Sequence, residues 1–169
     1  IEQRTIQTCR MQHPSATLLT WQTQLQPPPG KDSITLGGSH YFGLGMRFVQ
    51  SMDKGGKFFN AARSDGEMVR GSEQLARAKW CAYSARVGAN NVTVAMFDDP
   101  KNPRHPATMF TMTDPFAYLS ATLNLSKEPF VVKADEPLKV RYAVAVWDAE
   151  AKPEEVEQLY DRWAAGRQA

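Results

Sequence analysis

The sequence predicts an all-β fold, a mainly antiparallel β-sandwich with one α-helix at its C-terminal end. Short apolar and β-branched runs alternate with turn-forming glycine, proline and asparagine residues, which is typical of such sandwiches. Helical and extended patterns do not alternate along the chain, as they would in a parallel sheet. Its 169 residues fit the usual size of one domain, roughly 100–200 residues. We therefore predict a single domain over residues 1–169.

Runs rich in threonine and apolar residues predict the strands of the first half. Residues 17–25 form the first such run, and the breaker Pro27-Pro28-Pro29-Gly30 ends it. Residues 33–36 and 41–50 are the next extended segments, interrupted by glycines that suggest bulges or close backbone approach. The polar residues 51–72 predict a loop, apart from a hairpin over residues 57–63.

The second half contains the clearest strand patterns. Residues 74–87 form a strand-like run, and residues 92–97 are apolar at both parities, which predicts a strand buried on both faces. Three prolines then exclude both helix and ladder from residues 98–106 and predict a rigid loop. Further strands are predicted over residues 109–113, 117–125, 130–133 and 138–147, the last with regular alternation.

One helix is predicted over residues 153–165. Pro153 suits the first helical position, the acidic Glu154 and Glu155 suit the positive N-terminal end, and Gly166 suits the stop. Its apolar residues share one face at helical spacing, which predicts that this face packs on the sheet. They are Val156, Leu159, Tyr160 and Trp163.

Charge and composition argue against several classes of partner. The 20 basic and 18 acidic residues nearly balance, and no dense cluster of lysine and arginine predicts nucleic-acid binding. No apolar run is long enough to cross a bilayer. The chain begins at Ile1 without a signal-peptide core, which indicates a processed or trimmed product. Cys9 and Cys81 permit one disulfide or two free thiols.

The histidines do not predict a metal site. His13 precedes Pro14 in an expected turn, and neither His40 nor His105 has a second ligand at the spacing of a metal motif. We therefore expect the protein to need neither a metal ion nor an organic cofactor.

A first candidate binding segment runs from His40 to Arg47. In a regular strand, Tyr41, Gly43, Gly45 and Arg47 share one face. The glycines would leave room for a ligand, and the guanidinium of Arg47 could bind a carboxylate or vicinal hydroxyls. The alternative is that Arg47 pairs with an acidic neighbour and that the glycines form bulges.

The proline-rich loop is the second candidate. It carries Asp98, Asp99, Asn102 and His105, which suit sugar hydroxyls or acid–base chemistry. Its rigidity would leave little ordering entropy to lose on binding. The alternative is a structural corner in which the aspartates and the asparagine cap backbone groups.

Four segments resemble landmarks of the PmoA-like family, labelled "methane oxygenase PmoA", over about residues 34–169. The resemblance implies a sheet-rich fold related to the galactose-mutarotase supersandwich, and a bacterial, exported protein, hence periplasmic or extracellular. It also implies a neighbourhood of carbohydrate-catabolism genes. Two family features are missing, a preceding histidine-rich half and the acidic residue of a Trp-Val-Asp-Tyr sequence. The segments are residues 41–47, 78–84, 94–106 and 138–148, and Trp80-Cys81-Ala82-Tyr83 stands where that sequence is expected.

Together these features predict a carbohydrate-related domain, binding or enzymatic, that acts on a sugar-like ligand. We expect His105 to be the acid–base group near neutral pH, with Asp98 beside it as a second catalytic residue. The substrate-binding candidates, including two aromatic residues that could stack on a sugar, are Arg47, Tyr41, Asn102, Asp99, Trp80 and Tyr83.

The alternative is a non-catalytic interaction or structural sandwich domain. Its open sheet edges would pack on a partner chain or a missing N-terminal half, or would associate with a second copy. A concave polar pocket lined by Arg47 and the Asp98 loop would favour the carbohydrate function, and a large flat apolar patch would favour the alternative.

Overall fold

The computed structural model describes residues 1–12 and 15–166, so the turn predicted at His13 and Pro14 lies outside the described residues. Strands within this part of the chain form three sheets. In spatial order, the six-stranded sheet contains β1 (Glu2–Met11), β2 (Ala16–Leu25), β13 (Leu138–Trp147), β9 (Asn90–Asp98), β8 (Trp80–Val87) and β5 (Lys57–Asn60).

The five-stranded sheet packs against the six-stranded sheet. In spatial order it contains β4 (Gly43–Arg47), β11 (Tyr118–Thr122), β10 (Thr108–Met112), β7 (Glu73–Arg77) and β6 (Glu67–Arg70). A small third sheet pairs β3 (Ser33–Leu36) with β12 (Phe130–Lys133), and a short 3-10 helix spans Gln50–Met52. Each strand pairing among the described residues is antiparallel, and a single helix, α1 (Pro153–Ala164), follows the last strand. The predicted fold class is confirmed.

The alternation of side chains along the central strands creates two hydrophobic cores. On β8, Trp80 and Ala82 face α1, while Cys81 and Tyr83 face the five-stranded sheet, because successive residues of a strand point to opposite faces. β9 follows the same rule and is buried on both faces, as predicted. The six-stranded sheet is therefore the middle layer, between α1 and the five-stranded sheet.

The helix packs as its spacing predicts. Val156, Leu159, Tyr160 and Trp163 are all buried and share a cluster with Trp147. The carboxylate of Glu155 accepts the backbone N–H of Lys152 at 2.8 Å, which satisfies a free donor at the start of the helix. Gly166 follows the last turn with a φ of 71°, a conformation that glycine adopts without strain.

Several sequence-based boundaries are wrong. The predicted hairpin over residues 57–63 does not form, since β5 pairs with the distant β8. Residues 67–70, predicted as loop, are strand β6. The single run over residues 74–87 is two strands, β7 and β8, which belong to different sheets. Local patterns indicate extended backbone but do not identify the partner of a strand.

β1 was not predicted at all. Nine of its ten residues are exposed, so no hydrophobic alternation marks it in the sequence. β1 also decides the disulfide question, because Cys9 on this edge strand is an exposed free thiol. Cys81 is a buried free thiol on β8, and burial raises its pKa to about 12. β2, β13 and β9 separate the two cysteines within the sheet.

Candidate functional site

Trp80 and Tyr83 do not offer a stacking surface to a ligand. Trp80 is 2% exposed and donates its indole N–H to a carboxylate oxygen of Glu157 at 2.6 Å. Tyr83 is 0% exposed and donates its hydroxyl to the carbonyl of Met52 at 2.6 Å. The prediction that either ring stacks on a sugar is wrong, because α1 and the second sheet cover them.

Arg47 and the proline-rich loop lie at opposite ends of the five-stranded sheet. Gly43 pairs with Thr122, and Thr122 pairs with Thr108, next to the Asp98 loop. Arg47 is four strand residues further along β4, about 13 Å away at the usual rise per residue. Four pockets in the described part of the chain have no Arg47 in their lining, so none of these four is the shared pocket that would favour the carbohydrate function.

Asp98 ties together the proline-rich loop. Its Oδ2 accepts the backbone N–H of Ala107 at 2.7 Å and lies 2.7 Å from Nδ1 of His105, while Oδ1 accepts the side-chain amide of Asn102 at 2.7 Å. The carboxylate is almost completely buried. Burial raises the pKa of Asp98, and the three hydrogen bonds oppose that rise.

Asn102 and Asp99 also act within the loop. The side chain of Asn102 donates to the carbonyl of Arg141 at 2.8 Å and accepts the backbone N–H of Arg141 at 2.7 Å. It therefore continues the hydrogen bonding of β13 beyond the end of β9. Asp99 accepts the Arg141 guanidinium at 2.5 Å, and this guanidinium lies 4.1 Å from the centre of the Trp163 ring. Both side chains have the capping role of the structural alternative.

His105 differs from these neighbours because one of its nitrogens is unused. Within the described part of the chain, Nδ1 is held by Asp98 and Nε2 has no hydrogen-bond partner. Its side chain is 23% exposed. A buried carboxylate that orients an imidazole in this way favours the tautomer with an open Nε2.

A group of aromatic and polar side chains lies on the outer face of the five-stranded sheet. On β10, Met109 faces the core between the sheets, so Phe110 faces outward. The rings of Tyr118, Tyr41 and His40 surround that of Phe110 at centroid distances of 5.9, 5.8 and 5.4 Å. We call His40, Tyr41, Glu73, Phe110 and Tyr118 the outer-face cluster.

An ion pair gives the outer-face cluster its charge. Glu73 is buried, yet its Oε1 accepts the guanidinium of Arg70 at 2.7 Å and its Oε2 lies 3.1 Å from Nε2 of His40. Nδ1 of His40 lies 3.4 Å from the hydroxyl of Ser39. The Arg70 hydrogen bond, followed by that of His40, lowers the pKa of Glu73 against its burial, so this carboxylate is ionised at neutral pH.

Arg47 borders the outer-face cluster through aromatic contacts. Its guanidinium lies 4.1 Å from the centre of the Phe116 ring, and Phe116 contacts Tyr118. Tyr41 and Arg47 are therefore on one side of the sheet, as predicted, although Tyr41 precedes the strand and does not belong to it.

Gly45 of β4 makes room for a neighbouring side chain and not, as expected, for a ligand. A Cβ on Gly45 would lie 1.9 Å from the hydroxyl oxygen of Tyr118, so the space beside Arg47 is filled by Tyr118 and is not open to a ligand. The ladder between β4 and β11 is regular through Gly43 and Gly45, so the alternative of bulges is wrong as well.

Glu73, Arg70, Phe110 and Tyr118 were not predicted as site residues. Glu73 contacts His40 across 33 residues, and no local pattern records such a contact. Arg70 and Glu73 are three residues apart and form an ion pair. That spacing does not predict the pair unless the turn between β6 and β7 is known.

Two features are absent from the described residues. No group of three or more histidine, cysteine, aspartate or glutamate side chains in residues 1–12 and 15–166 is arranged to hold a metal ion. In the same part of the chain, no helix is both long and apolar enough to cross a membrane.

The fold and the outer-face cluster define an antiparallel β-sandwich domain with a partly exposed aromatic and ionic surface. The chain belongs to a family of unknown function, DUF6807, whose model matches residues 1–161. This match corrects the resemblance to the PmoA-like family, and it begins at residue 1, not near residue 34. No curated protein and no solved structure matches the chain.

Proposed function

We propose that this domain binds a sugar-like ligand at the outer-face cluster. The observation that supports the proposal is the convergence of aromatic rings with a carboxylate, an imidazole and a guanidinium from separate segments. The C–H face of a sugar packs on aromatic rings, and its hydroxyls bond to polar groups placed at the rim. Tyr41 is 41% exposed, so its ring is available for such a contact.

Three members of the outer-face cluster and the two arginines beside it have distinct roles in this proposal. The ring of Tyr41 stacks on the sugar, and the ionised carboxylate of Glu73 accepts a hydrogen bond from a sugar hydroxyl. Arg70, with a side chain 78% exposed, and Arg47 donate from opposite sides of the cluster. Phe110 is buried beneath the rings and supports them.

The His40–Glu73 pair adds a capacity for proton transfer. The Glu73 carboxylate lies 3.1 Å from Nε2 of His40 and orients the imidazole. A ligand hydroxyl that displaces the Ser39 hydroxyl, 3.4 Å from Nδ1, would then bind to the other side of the ring. The same cluster therefore suits a binding domain or an enzyme that acts on a sugar.

Calorimetry with a panel of neutral sugars, acidic sugars and 3-keto sugars tests the proposal. We expect Tyr41→Ala to weaken binding about threefold to tenfold, since an aromatic contact contributes about 0.5–1.5 kcal/mol. Arg47→Ala should weaken it as well. Arg86→Ala is the matched control, because Arg86 is exposed on β8, outside the outer-face cluster. The proposal fails if no sugar binds, or if the cluster variants bind as the control does.

The Asp98–His105 pair supports a second candidate, acid–base catalysis at the other end of the sandwich. The observation in its favour is the open Nε2 of His105 beside a buried carboxylate. Turnover assays with the same panel decide between the two locations. His105→Gln should abolish turnover and leave binding intact if His105 is the catalytic base, and His40→Gln should do so if the outer-face cluster is the catalytic site.

A further inference from the structure

The six-stranded sheet ends in an exposed edge strand. β1 is its outermost strand on one side, and all ten of its residues pair in register with β2. The ladder has no bulge, and the strand contains neither proline nor lysine, which proteins normally use to block edge-to-edge pairing. The strand does carry the charged residues Glu2, Arg4 and Arg10, so a partner strand has to match these charges. β1 is thus a regular, exposed template for another strand.

Hydrogen bonds at the start of β1 show which of its residues face the free edge. Ile1 donates to the carbonyl of Gln26 at 2.8 Å and accepts the N–H of Gln26 at 3.0 Å. In an antiparallel ladder, such doubly bonded pairs alternate with non-bonded ones. The odd residues of β1 therefore bond to β2, and the even residues direct their N–H and C=O groups outward. These residues are Glu2, Arg4, Ile6, Thr8 and Arg10.

We propose that β1 pairs with β1 of a second copy of this chain, antiparallel, about a two-fold axis at Ile6. Within one chain, Glu2 already pairs with Arg4 at 2.7 Å and accepts the Thr23 hydroxyl at 2.7 Å. This register adds Arg10 of the second copy opposite Glu2, and it places Arg4 opposite Thr8. The axis relates the two copies, so the Glu2–Arg10 contact forms twice. Ile6, exposed by 49% in the single chain, meets its own copy at the centre.

The neighbouring registers are less favourable. A shift by two residues in one direction places Arg4 opposite Arg10, a like-charge contact that is destabilising across strands. The opposite shift places Glu2 opposite Thr8 and Arg4 opposite Ile6, so no opposite charges meet. The register centred on Ile6 provides hydrogen-bond partners for the outward N–H and C=O groups of five residues in each copy. It also places opposite charges together. The two six-stranded sheets then form one continuous sheet.

This inference goes beyond the proposed sugar binding, because β1 lies in the other sheet from the outer-face cluster. Failure of either proposal leaves the other intact.

A charge exchange tests the register by sedimentation equilibrium of the full chain. Glu2→Arg places two arginines together, and Arg10→Glu places two glutamates together, so each single variant should raise the dimer dissociation constant about tenfold or more, as two exposed contacts change from attractive to repulsive. The double variant Glu2→Arg/Arg10→Glu restores opposite charges and should restore the dimer. The proposal is overturned if the wild type is a monomer at every concentration, or if the double variant is as weak as the singles.

A cross-link tests the position of the axis. In a Cys9→Ser background, Ile6→Cys should oxidise rapidly to a disulfide dimer, because directly opposed residues lie about 5.5 Å apart between Cα atoms. Val131→Cys in the same background is the control, since Val131 is similarly exposed, on β12. Wild-type Cys9 faces Gln3 of the second copy, about 20 Å from the other Cys9, and should not cross-link. Equal rates for Ile6→Cys and Val131→Cys, or rapid cross-linking through Cys9, would refute this register.

Discussion

Replacement of Asp98 by alanine removes the acceptor that holds the proline-rich loop against the start of β10. Three donors lose their partner, namely the N–H of Ala107, Nδ1 of His105 and the side-chain amide of Asn102. The Asn102 amide keeps its second bond, to the carbonyl of Arg141. The imidazole of His105 is 23% exposed and can reach water. The N–H of Ala107 is the group left buried without an acceptor.

The expected loss of stability follows from these contacts. A buried donor left without a partner costs about 1–3 kcal/mol, and hydrogen bonds to a charged group contribute about 1.5–3 kcal/mol each. The variant regains part of this, because it no longer buries a carboxylate that is 1% exposed. We expect Asp98→Ala to lower the free energy of unfolding by about 2–4 kcal/mol.

The Asp98→Asn variant removes the charge but keeps a polar side chain of the same shape, so it tests the hydrogen-bonding pattern apart from the charge. If its oxygen accepts from Ala107, its amide nitrogen faces the amide nitrogen of Asn102. Asn102 cannot turn over, because its own oxygen accepts the N–H of Arg141. The two donors then oppose each other, and we expect a loss of about 1–3 kcal/mol.

Urea unfolding at neutral pH, followed by tryptophan fluorescence, measures these changes as shifts in midpoint at constant slope. Asp65→Ala is the control, because Asp65 is exposed in the turn after β5, and it should change stability by less than about 0.5 kcal/mol. A loss below about 1 kcal/mol for Asp98→Ala would show that Asp98 does not hold the loop as described.

Three further substitutions test contacts in the two sheets. Gly45→Ala should cost about 1–3 kcal/mol, because its new methyl group would overlap the hydroxyl of Tyr118. Tyr83→Phe should cost about 1–3 kcal/mol, because it leaves the buried carbonyl of Met52 without this hydroxyl donor. Glu73→Gln should change the pH dependence of stability: the pKa of Glu73 is lowered from 4.5 in the folded state, so its ionised form stabilises the wild type above about pH 4.5, and this advantage over the variant disappears as the pH falls through the folded-state pKa.

Each of these substitutions has a control in the same chain. Gly37→Ala introduces a methyl group with no atom within 4 Å and should be nearly neutral. Tyr41→Phe removes a hydroxyl from an exposed ring, and Glu67→Gln changes an exposed carboxylate. Urea midpoints measure the first two pairs, and thermal melts from about pH 3 to pH 7 measure the third. Equal losses in a variant and its control would contradict the corresponding contact, as would a constant difference between wild type and Glu73→Gln across the pH range.

Local geometry made much of the fold predictable. The alternation over residues 138–147 located β13 with its observed bounds, because a strand turns every second side chain to the same face. The helical spacing of Val156 and Trp163 located α1 and its buried face. The prolines of the Asp98 loop correctly indicated a segment without regular structure, since their backbone cannot continue a ladder.

The candidate site was far less predictable. The sequence pointed to Tyr41, Arg47 and the His105–Asp98 pair, but it could not say whether Arg47 and the Asp98 loop share one pocket. The structure separates these segments, because the order of strands in the five-stranded sheet sets which strand ends meet.

What the sequence alone determined is the kind of element at each position and the face that each side chain takes on it. Tertiary structure decided which faces stay exposed: α1 covers Trp80, which the sequence offered as a stacking surface for a sugar. It also brought His40 to Glu73 across 33 residues. The physical reason is that periodicity describes a side chain relative to its own backbone, whereas burial and contact depend on how all the elements pack together.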